Sequence, residues 1–228
     1  MAILLSLETS TFVCSAALHE QGQLLASRIQ HKPHSAAAQL AIQIDELFQE
    51  TGIDKSSLGA VAVSSGPGSY TGLRIGSATA KGLCYGFSIP LIAIDSLRVL
   101  CSAIQDRQPD IYYCPMIDAR RMEVYCTILD YQLREVEPIQ AKVIDGASFI
   151  DVLDRHRIVF FGDGASKCRG VIQHPNVTIV DNVYGSAQHM GALTLARYLA
   201  KEFVSVEDFE PNYLKDFVAK TKSSTGML

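Results

Sequence analysis

The sequence has no excess of positive charge, no closely spaced cysteine pair and no long apolar run. Its formal net charge is −4 over 228 residues. A protein that grips nucleic acid by itself needs a basic field, so this balance argues against that function. No apolar run approaches the roughly 18 residues of a membrane-spanning helix. With 48% hydrophobic residues the chain can form a proper core, in one large domain or two of about 100 residues each.

The cysteines give no sign of disulfide bonds. The six cysteines lie far apart and include no C-x-x-C pair, and several stand inside apolar runs. A free cysteine in such a run behaves as a small hydrophobic side chain. The N-terminus lacks a basic region and Glu8 interrupts its apolar run, which predicts a first strand and not a signal peptide. These features predict reduced thiols and a cytoplasmic location, with no contact to a membrane.

Motifs of catalysis and metal binding are also missing from the sequence. The six histidines form no H-E-x-x-H or H-x-x-x-H pair, the spacings that place two metal ligands on one helix face. His31 and His34 precede the first predicted helix, where surface or capping roles are favoured over metal binding. The sequence therefore predicts no catalytic residue and no metal site.

A glycine-rich segment at residues 64–76, S-S-G-P-G-S-Y-T-G-L-R-I-G, stands between a strand-like run and a helix-like run. It lacks the Gly-Lys-Ser/Thr end of a P-loop, and its glycine spacing misses the dinucleotide fingerprint by one residue. Two interpretations remain. The segment is either a helix N-terminus that holds an anion, or a turn whose glycines let two backbones pack closely. The spacing alone favours the second.

The order of apolar runs and turn signals predicts an α/β protein of two βββαβαβα halves, the second of them reduced. A polar stretch near residue 106 suggests the boundary between an N-terminal unit, residues 1–106, and a C-terminal unit, residues 107–218. Residues 219–228 are polar and predict a disordered tail.

Four local features of this order are specific enough to be tested. Turn and cap signals predict a turn that begins at His19 and helix caps at Ser35 and Ser96. Apolar positions at helical spacing predict one long helix over residues 186–203.

The helix predicted after the glycine segment is poor in bulky side chains. Such a helix contributes little to a packed core but lets another helix approach closely. Contact within the chain and contact with a second chain both remain open. The small residues are Gly76, Ser77, Ala78, Ala80, Gly82 and Gly86.

Three polar groups are candidate ligand contacts, and each has a structural alternative. Glu8 follows the first strand, where a phosphate-handling fold would place an acid for a bound metal. A polar residue in a solvent-exposed turn explains Glu8 equally well. Asp118, Arg120 and Glu123 cluster on the second predicted hairpin and either pair locally or face a partner. Residues 162–164, Gly-Asp-Gly, could approach a nucleotide, although a plain turn after a strand is favoured.

Motif blocks along nearly the whole chain resemble those of one family. They are L-L-S-L-E-T-S-T at residues 4–11, the glycine segment, D-A-R-R-M-E-V-Y at 118–125, G-D-G at 162–164 and P-N-Y-L-K at 211–215. In this order they closely resemble the TsaB (YeaZ) family of bacterial tRNA threonylcarbamoyladenosine biosynthesis proteins. The resemblance implies the actin/Hsp70/sugar-kinase-like (ribonuclease-H-like) fold, in agreement with the duplicated order predicted above.

The resemblance implies a non-catalytic scaffold subunit, not an enzyme by itself. Members of the family pair with a catalytic paralogue, TsaD, and the complex also recruits the ATPase TsaE. The complex transfers a threonylcarbamoyl group from its ATP-derived adenylate to N6 of the adenosine next to the anticodon, in tRNAs that read codons beginning with A. The chain is implied to have no cofactor of its own and to reach tRNA only through the complex. An exposed apolar pair of helices favours a homodimer when the chain is alone, and the sequence leaves monomer and homodimer both open.

The resemblance also assigns roles to individual residues. In the family the first two helices, here residues 35–49 and 70–85, form a bundle with those of the partner. A leucine at Gly76 is therefore expected to weaken pairing. The implied partner-binding residues are His34, Ala37, Ala41, Ser69, Tyr70, Thr71, Leu73, Arg74, Ser77 and Lys81. The residues implied to lie near a nucleotide are Glu8, Thr9, Ser10, Asp118, Arg120 and Asp163.

The chain departs from the family pattern at several positions. Glu8 and Lys215 stand where Asp and Arg are usual. The catalytic relative carries an H-x-x-x-H metal pair near its first helix. Here His34 stands at the first histidine position and Ala38 replaces the second histidine, as expected for a non-catalytic subunit. The alternative functions are an autonomous nucleotide-binding phosphotransferase of the same fold and, with least support, a glycoprotease-type peptidase.

Overall fold

A computed structural model describes residues 2–31 and 36–215, without the side chains of residues 36 and 37. The first half begins with three strands joined by tight turns and then alternates helix and strand. Its elements are β1 (Ile3–Glu8), β2 (Cys14–Glu20), β3 (Gln23–Gln30), α1 (Ala36–Thr51), β4 (Leu58–Ser64), α2 (Tyr70–Phe87), β5 (Leu91–Ile94) and α3 (Ser96–Cys101). The βββαβαβα order predicted for this half is confirmed.

The second half repeats the order with shorter helices. Its elements are β6 (Ile111–Asp118), β7 (Glu123–Leu129), β8 (Glu135–Val143), α4 (Ile150–Leu153), β9 (Arg157–Phe161), β10 (Val177–Val180) and α5 (Gly191–Ala200). A 3-10 turn, Ala165–Cys168, replaces the helix between β9 and β10. The predicted reduction of this half is confirmed.

Each half forms a five-stranded mixed sheet with the same arrangement. The strand order is β3-β2-β1-β4-β5 in the first sheet and β8-β7-β6-β9-β10 in the second. The central strand, β1 or β6, is antiparallel to its hairpin partner and parallel to the strand on its other side. Parallel strands end at the same edge of a sheet, so the turns after β1 and β4 lie together, as do those after β6 and β9. The predicted duplicated fold class is confirmed.

The first sheet is covered on both faces. Leu5 and Leu7 of β1 lie in the cluster that includes buried side chains of α1 and α2. Leu4 lies in a second cluster, to which α5 contributes Leu195 and Tyr198. This alternation along β1 follows from the two-residue period of a strand. All six cysteines are buried and free, as predicted.

The prediction of a turn at His19 is wrong because β2 continues through Glu20. Only Gln21 and Gly22 form the turn, with φ of 51° and 75°. The His19 ring is buried, and its Nδ1 lies 3.3 Å from Ser6 Oγ. Burial lowers the pKa of this histidine, so the core holds it as a neutral, hydrogen-bonded ring.

Two predicted helix boundaries are also wrong. The cap of α3 is Asp95, whose side chain accepts a backbone hydrogen bond of 2.9 Å from the first turn of the helix, and Ser96 is the first helical residue. The helix predicted over residues 186–203 is broken into a 3-10 turn, Ala187–His189, and α5. α5 starts at Gly191, where a Cβ would collide with the turn between β2 and β3.

The last part of the described chain returns to the first sheet. α5 packs on its face, and Val204 forms an antiparallel bridge with Leu91. The predicted boundary between residues 106 and 107 stays a prediction. α5 follows that boundary in the sequence but packs against the sheet of the first half. His34, the predicted cap Ser35 and the predicted tail at residues 219–228 lie outside the described residues. Within the described ranges, no helix is long and apolar enough to span a membrane.

Candidate functional site

The glycine segment packs directly on the turn that follows β1. Ser69 caps α2, since its Oγ accepts a hydrogen bond from Gly72 N at 3.3 Å, and Ser69 N donates to Ser10 O at 2.6 Å. A Cβ added at Gly72 would come closer than 3.0 Å to Thr9 O. One added at Gly68 would meet Ser10 O in the same way. Only glycine permits this approach, so the close-packing interpretation of the segment is confirmed.

This packing removes the turn after β1 from solvent. Glu8, Thr9 and Ser10 are each 1% exposed. Glu8 Oε1 accepts a hydrogen bond of 2.6 Å from Ser10 N. Glu8 Oε2, Thr9 Oγ1 and Ser77 Oγ have no hydrogen-bond partner among the described residues. A nucleotide can reach the turn only if α2 moves, and the place of these residues beside a nucleotide stays a prediction.

Replacing Glu8 by glutamine should remove a pH-dependent destabilisation. Burial raises the pKa of the Glu8 carboxyl from 4.5 to about 7. The stability that depends on its proton is therefore complete below pH 4.5 and is lost as the pH rises to about 7, by roughly 2–3 kcal/mol. We expect Glu8→Gln to unfold at higher urea concentration than the wild type at pH 8, and at a similar concentration at pH 4.5.

Asp95 lies near Glu8 and titrates in the same range, since burial raises its pKa to about 6. It contributes to the pH dependence of both proteins, and its charge also raises the pKa of Glu8. The difference between wild type and Glu8→Gln therefore reports Glu8 together with its interaction with Asp95. A difference in unfolding free energy that stayed constant from pH 4.5 to pH 8 would contradict a buried, protonated Glu8.

The turn after β6 is exposed and holds the candidate residues of the second half. Asp163 Oδ1 accepts a hydrogen bond of 3.0 Å from Asp118 N, and Lys167 Nζ lies 2.5 Å from Asp118 Oδ1. Arg120 is exposed, and its backbone N donates to the same carboxylate. Burial raises the pKa of Asp163. The structure thus brings Asp118, Arg120 and Asp163 together, and the charge of Asp118 is paired within the chain.

Residues 212–215 connect this hairpin to the glycine segment. Asn212 N donates to a carbonyl of the glycine segment at 2.7 Å, and the ring centroid of Tyr213 lies 4.9 Å from that of Tyr70 at the start of α2. Lys215 Nζ pairs with the Glu123 carboxylate at the start of β7. The motif blocks that carry the family resemblance therefore contact one another, from the turn after β1 to the turn after β6. We call this contiguous region the motif junction.

Next to the motif junction, α2 presents a stripe of exposed residues at helical spacing. Near the start of α2 the stripe includes Arg74, whose guanidinium lies 4.6 Å from the centroid of the Tyr70 ring. A Cβ added at Gly82 meets no atom within 4 Å, so packing inside the chain does not require glycine there. The stripe ends at Tyr85, which is 81% exposed. We define the α2 stripe as Thr71, Arg74, Ala78, Gly82 and Tyr85.

The predicted partner-binding residues divide between this surface and the core. Leu73 is 0% and Ser77 6% exposed, because both lie on the side of α2 that faces β4 and the turn after β1. They are corrected to core positions. Lys81 is half-buried and donates to Glu207 O at 2.9 Å. Tyr70 is half-buried, and the exposed members are Ala41, Ser69, Thr71 and Arg74.

Other positions need correction or lie outside the described part. Gly76 packs against the Thr9 side chain, so a leucine there would disrupt folding and would not report on pairing. His34 and the side chain of Ala37 lie outside the described residues. The predictions omitted Gly82 and Tyr85 from the site. Successive steps of four, four and three residues from Arg74 through Ala78 and Gly82 to Tyr85 nevertheless place all four on the same helix face.

The chain is similar along most of its length to proteins of tRNA modification. A family model described as TsaD, tRNA N6-adenosine threonylcarbamoyltransferase, matches residues 26–223. The TsaB protein of Haemophilus influenzae is 29% identical and that of Bacillus subtilis 31% identical, each over 96% of this chain and 96% of the relative. The chain belongs to the TsaB family. Its relatives are named as tRNA threonylcarbamoyladenosine biosynthesis proteins, which confirms the family predicted from the motif blocks.

Solved structures agree with this family. A Pseudomonas aeruginosa protein, described as uncharacterized with similarity to peptidase YEAZ, superposes with a TM-score of 0.83 at 26% identity. The superposition covers 94% of this chain and 100% of that one. The YeaZ structure from the same organism gives a TM-score of 0.78 with the same coverage. The fold of this TsaB-family chain is therefore matched over nearly its whole length.

Proposed function

We propose that this chain is the non-catalytic partner of a TsaD-type catalytic subunit in tRNA threonylcarbamoyl transfer. It binds that subunit through the α2 stripe and the exposed side of α1, and it supplies no chemistry of its own. The observation that carries the proposal is the open surface at Gly82, on a helix whose earlier glycines are held by contacts inside the chain.

The glycines of α2 fall into two classes. Glycine inside a helix costs roughly 0.5–1 kcal/mol relative to alanine. Gly72 and Gly76 have a structural reason, since both pack on Thr9. At Gly82 and Gly86 a Cβ meets no atom within 4 Å. A helix of another chain can approach closely over such positions, because the distance between packed helices depends on the side chains at the contact.

Apolar side chains border this surface. α1 packs beside α2 and exposes Ala38, Ala41 and Ile42. Tyr85 stands at the far end of the stripe, and large exposed aromatic and aliphatic side chains are typical of protein contacts. When the chain is alone, we propose that a second copy covers this apolar surface and forms a homodimer. A TsaD-type subunit would then compete with that copy for the same surface.

Two further observations support a scaffold without its own chemistry. The turn after β1, with Glu8, is buried beneath α2, so a phosphate group cannot approach it without displacing the helix. The net charge of −4 disfavours direct binding of tRNA, so tRNA is reached through the complex. In this proposal the ATP-derived adenylate and the TsaE subunit belong to the assembled complex, and the chain holds no cofactor.

Calorimetric titration of the full chain with a purified TsaD-type subunit, beside a titration with ATP, tests the proposal. We expect a saturable complex with one catalytic subunit per chain and no measurable binding of ATP alone. Sedimentation of the isolated chain should reveal self-association that the catalytic subunit reverses.

One observation favours a second candidate function, an autonomous nucleotide-binding phosphotransferase. The turn after β6 exposes Asp118 and lies against Asp163, whose carboxylate accepts a hydrogen bond from Asp118 N. Stoichiometric binding of ATP to the isolated chain, with no affinity for the catalytic subunit, would overturn the scaffold and support this alternative.

A further inference from the structure

A cavity of about 270 Å³ lies where the chain crosses from the second half back to the first. Its walls come from the end of β3, the end of α3 and the segment between β10 and α5, including Ile29, Ala103 and Tyr184. None of the residues of the motif junction or of the α2 stripe lines it. It is therefore a separate feature, which the proposed scaffold role does not use.

We propose that this cavity binds an uncharged planar nitrogen heterocycle of the nucleobase or nucleoside class. Three properties of the lining support this class of ligand: the absence of charge, the held aromatic ring and the neutral polar groups on one wall.

The lining carries no formal charge of Asp, Glu, Lys or Arg within the part of the chain that the structure describes. A charged ligand would lose its hydration there without gaining a counter-charge, which is unfavourable. The cavity is also slightly smaller than the range of roughly 300–1,000 Å³ typical of sites for drug-sized ligands. Both properties favour a single neutral ring system over a nucleotide with its phosphates.

The ring of Tyr184 is held in a fixed orientation. It packs edge-on against Phe12, with centroids 5.2 Å apart, and against His31, with centroids 5.8 Å apart. Its hydroxyl donates to Asn182 Oδ1 at 3.3 Å. A tyrosine held by two rings and a hydrogen bond is ordered before a ligand arrives, and an aromatic face held in this way stacks on planar rings.

The lining also offers neutral hydrogen-bonding groups, from Ser186, Gln188 and His189. Burial lowers the pKa of His189, which keeps its ring neutral. Gln188 Nε2 lies 3.1 Å from His189 Nε2, and Ser186 Oγ lies 3.3 Å from His189 Nδ1. With the Gln188 amide as donor, His189 Nδ1 carries the proton and donates to Ser186. The hydroxyl of Ser186 is then able to donate to a ligand, and a nucleobase edge combines acceptors with donors.

Titration of the full chain with adenosine as the probe, followed by calorimetry and by ligand-observed NMR, tests the proposal. We expect one saturable site, with AMP binding at least fivefold more weakly than adenosine because its phosphate meets no lysine or arginine among the described residues of the lining. Tyr184→Ala should weaken adenosine binding at least tenfold by removing the stacking face. Ala103→Met should do the same by filling the cavity, and it decides the test if Tyr184→Ala fails to fold.

The matched control is Leu199→Ala, which removes an exposed apolar side chain of α5 outside the cavity and outside the α2 stripe, and it should leave adenosine binding unchanged. Absence of saturable binding at millimolar adenosine would overturn the proposal. So would binding that neither Tyr184→Ala nor Ala103→Met reduces, or AMP that binds more tightly than adenosine.

Discussion

Replacing Gly72 by alanine is expected to destabilise the fold by about 3 kcal/mol. The new Cβ would lie closer than 3.0 Å to the carbonyl oxygen of Thr9. Backbone on both sides of this contact is fixed, by β1 on one side and by the capped first turn of α2 on the other. The clash must therefore shift an element, which is the costly form of overpacking. Thermal unfolding should show a loss of about 6–12 °C for a domain of this size.

Gly82→Ala in the same helix is the matched control. Its Cβ meets no atom within 4 Å, so only the higher helix propensity of alanine acts, and the protein should gain roughly 0.5–1 kcal/mol. Equal effects of the two substitutions would contradict the packing of the glycine segment on the turn after β1.

The strand and helix order could be predicted because its signals are local. Glu123–Leu129 and Val177–Val180, for example, are strands because each is a β-prone run between turn residues. The glycine segment was likewise recognisable from its composition. Of the two interpretations of this segment, an anion site and a close-packing turn, the glycine spacing already favoured the close-packing turn.

The errors arise where a distant part of the chain decides. His19 lies in a strand that pairs with β1, and Gly191 at the start of α5 packs against the turn after β2. No local pattern around either residue indicates these contacts. Glu8 is a polar residue at the end of a strand, and this pattern fits a solvent-exposed turn as well as a buried one. Its burial follows from α2 covering the turn.

The candidate site was predictable in its motifs but not in its assembly. No local pattern relates Lys215 to Glu123 or Tyr213 to Tyr70, and only the fold brings these pairs together. The division of α2 into two faces is different. Leu73 at a core position and Gly82 at an open one follow from the 3.6-residue period of the helix, a signal that the family resemblance alone did not use.

Gly82→Leu is expected to weaken binding of a TsaD-type subunit at least tenfold while leaving the fold intact. The open surface at Gly82 accepts the side chain in the isolated chain, and leucine favours a helix, so thermal stability should be unchanged or higher. In a complex whose helices approach over this position, the same side chain would overpack the contact by about 1–3 kcal/mol. Gly82→Ala should cause a smaller loss of affinity.

Docking through the α2 stripe is tested by titrating the catalytic subunit into the wild type, Gly82→Leu and a control, Gly146→Leu. Gly146 is exposed in the second half, and a Cβ there makes only an ordinary contact of 3.7 Å. The account predicts tight binding for the wild type and Gly146→Leu and a loss of at least tenfold for Gly82→Leu. Equal affinity of all three folded proteins would contradict docking through the α2 stripe.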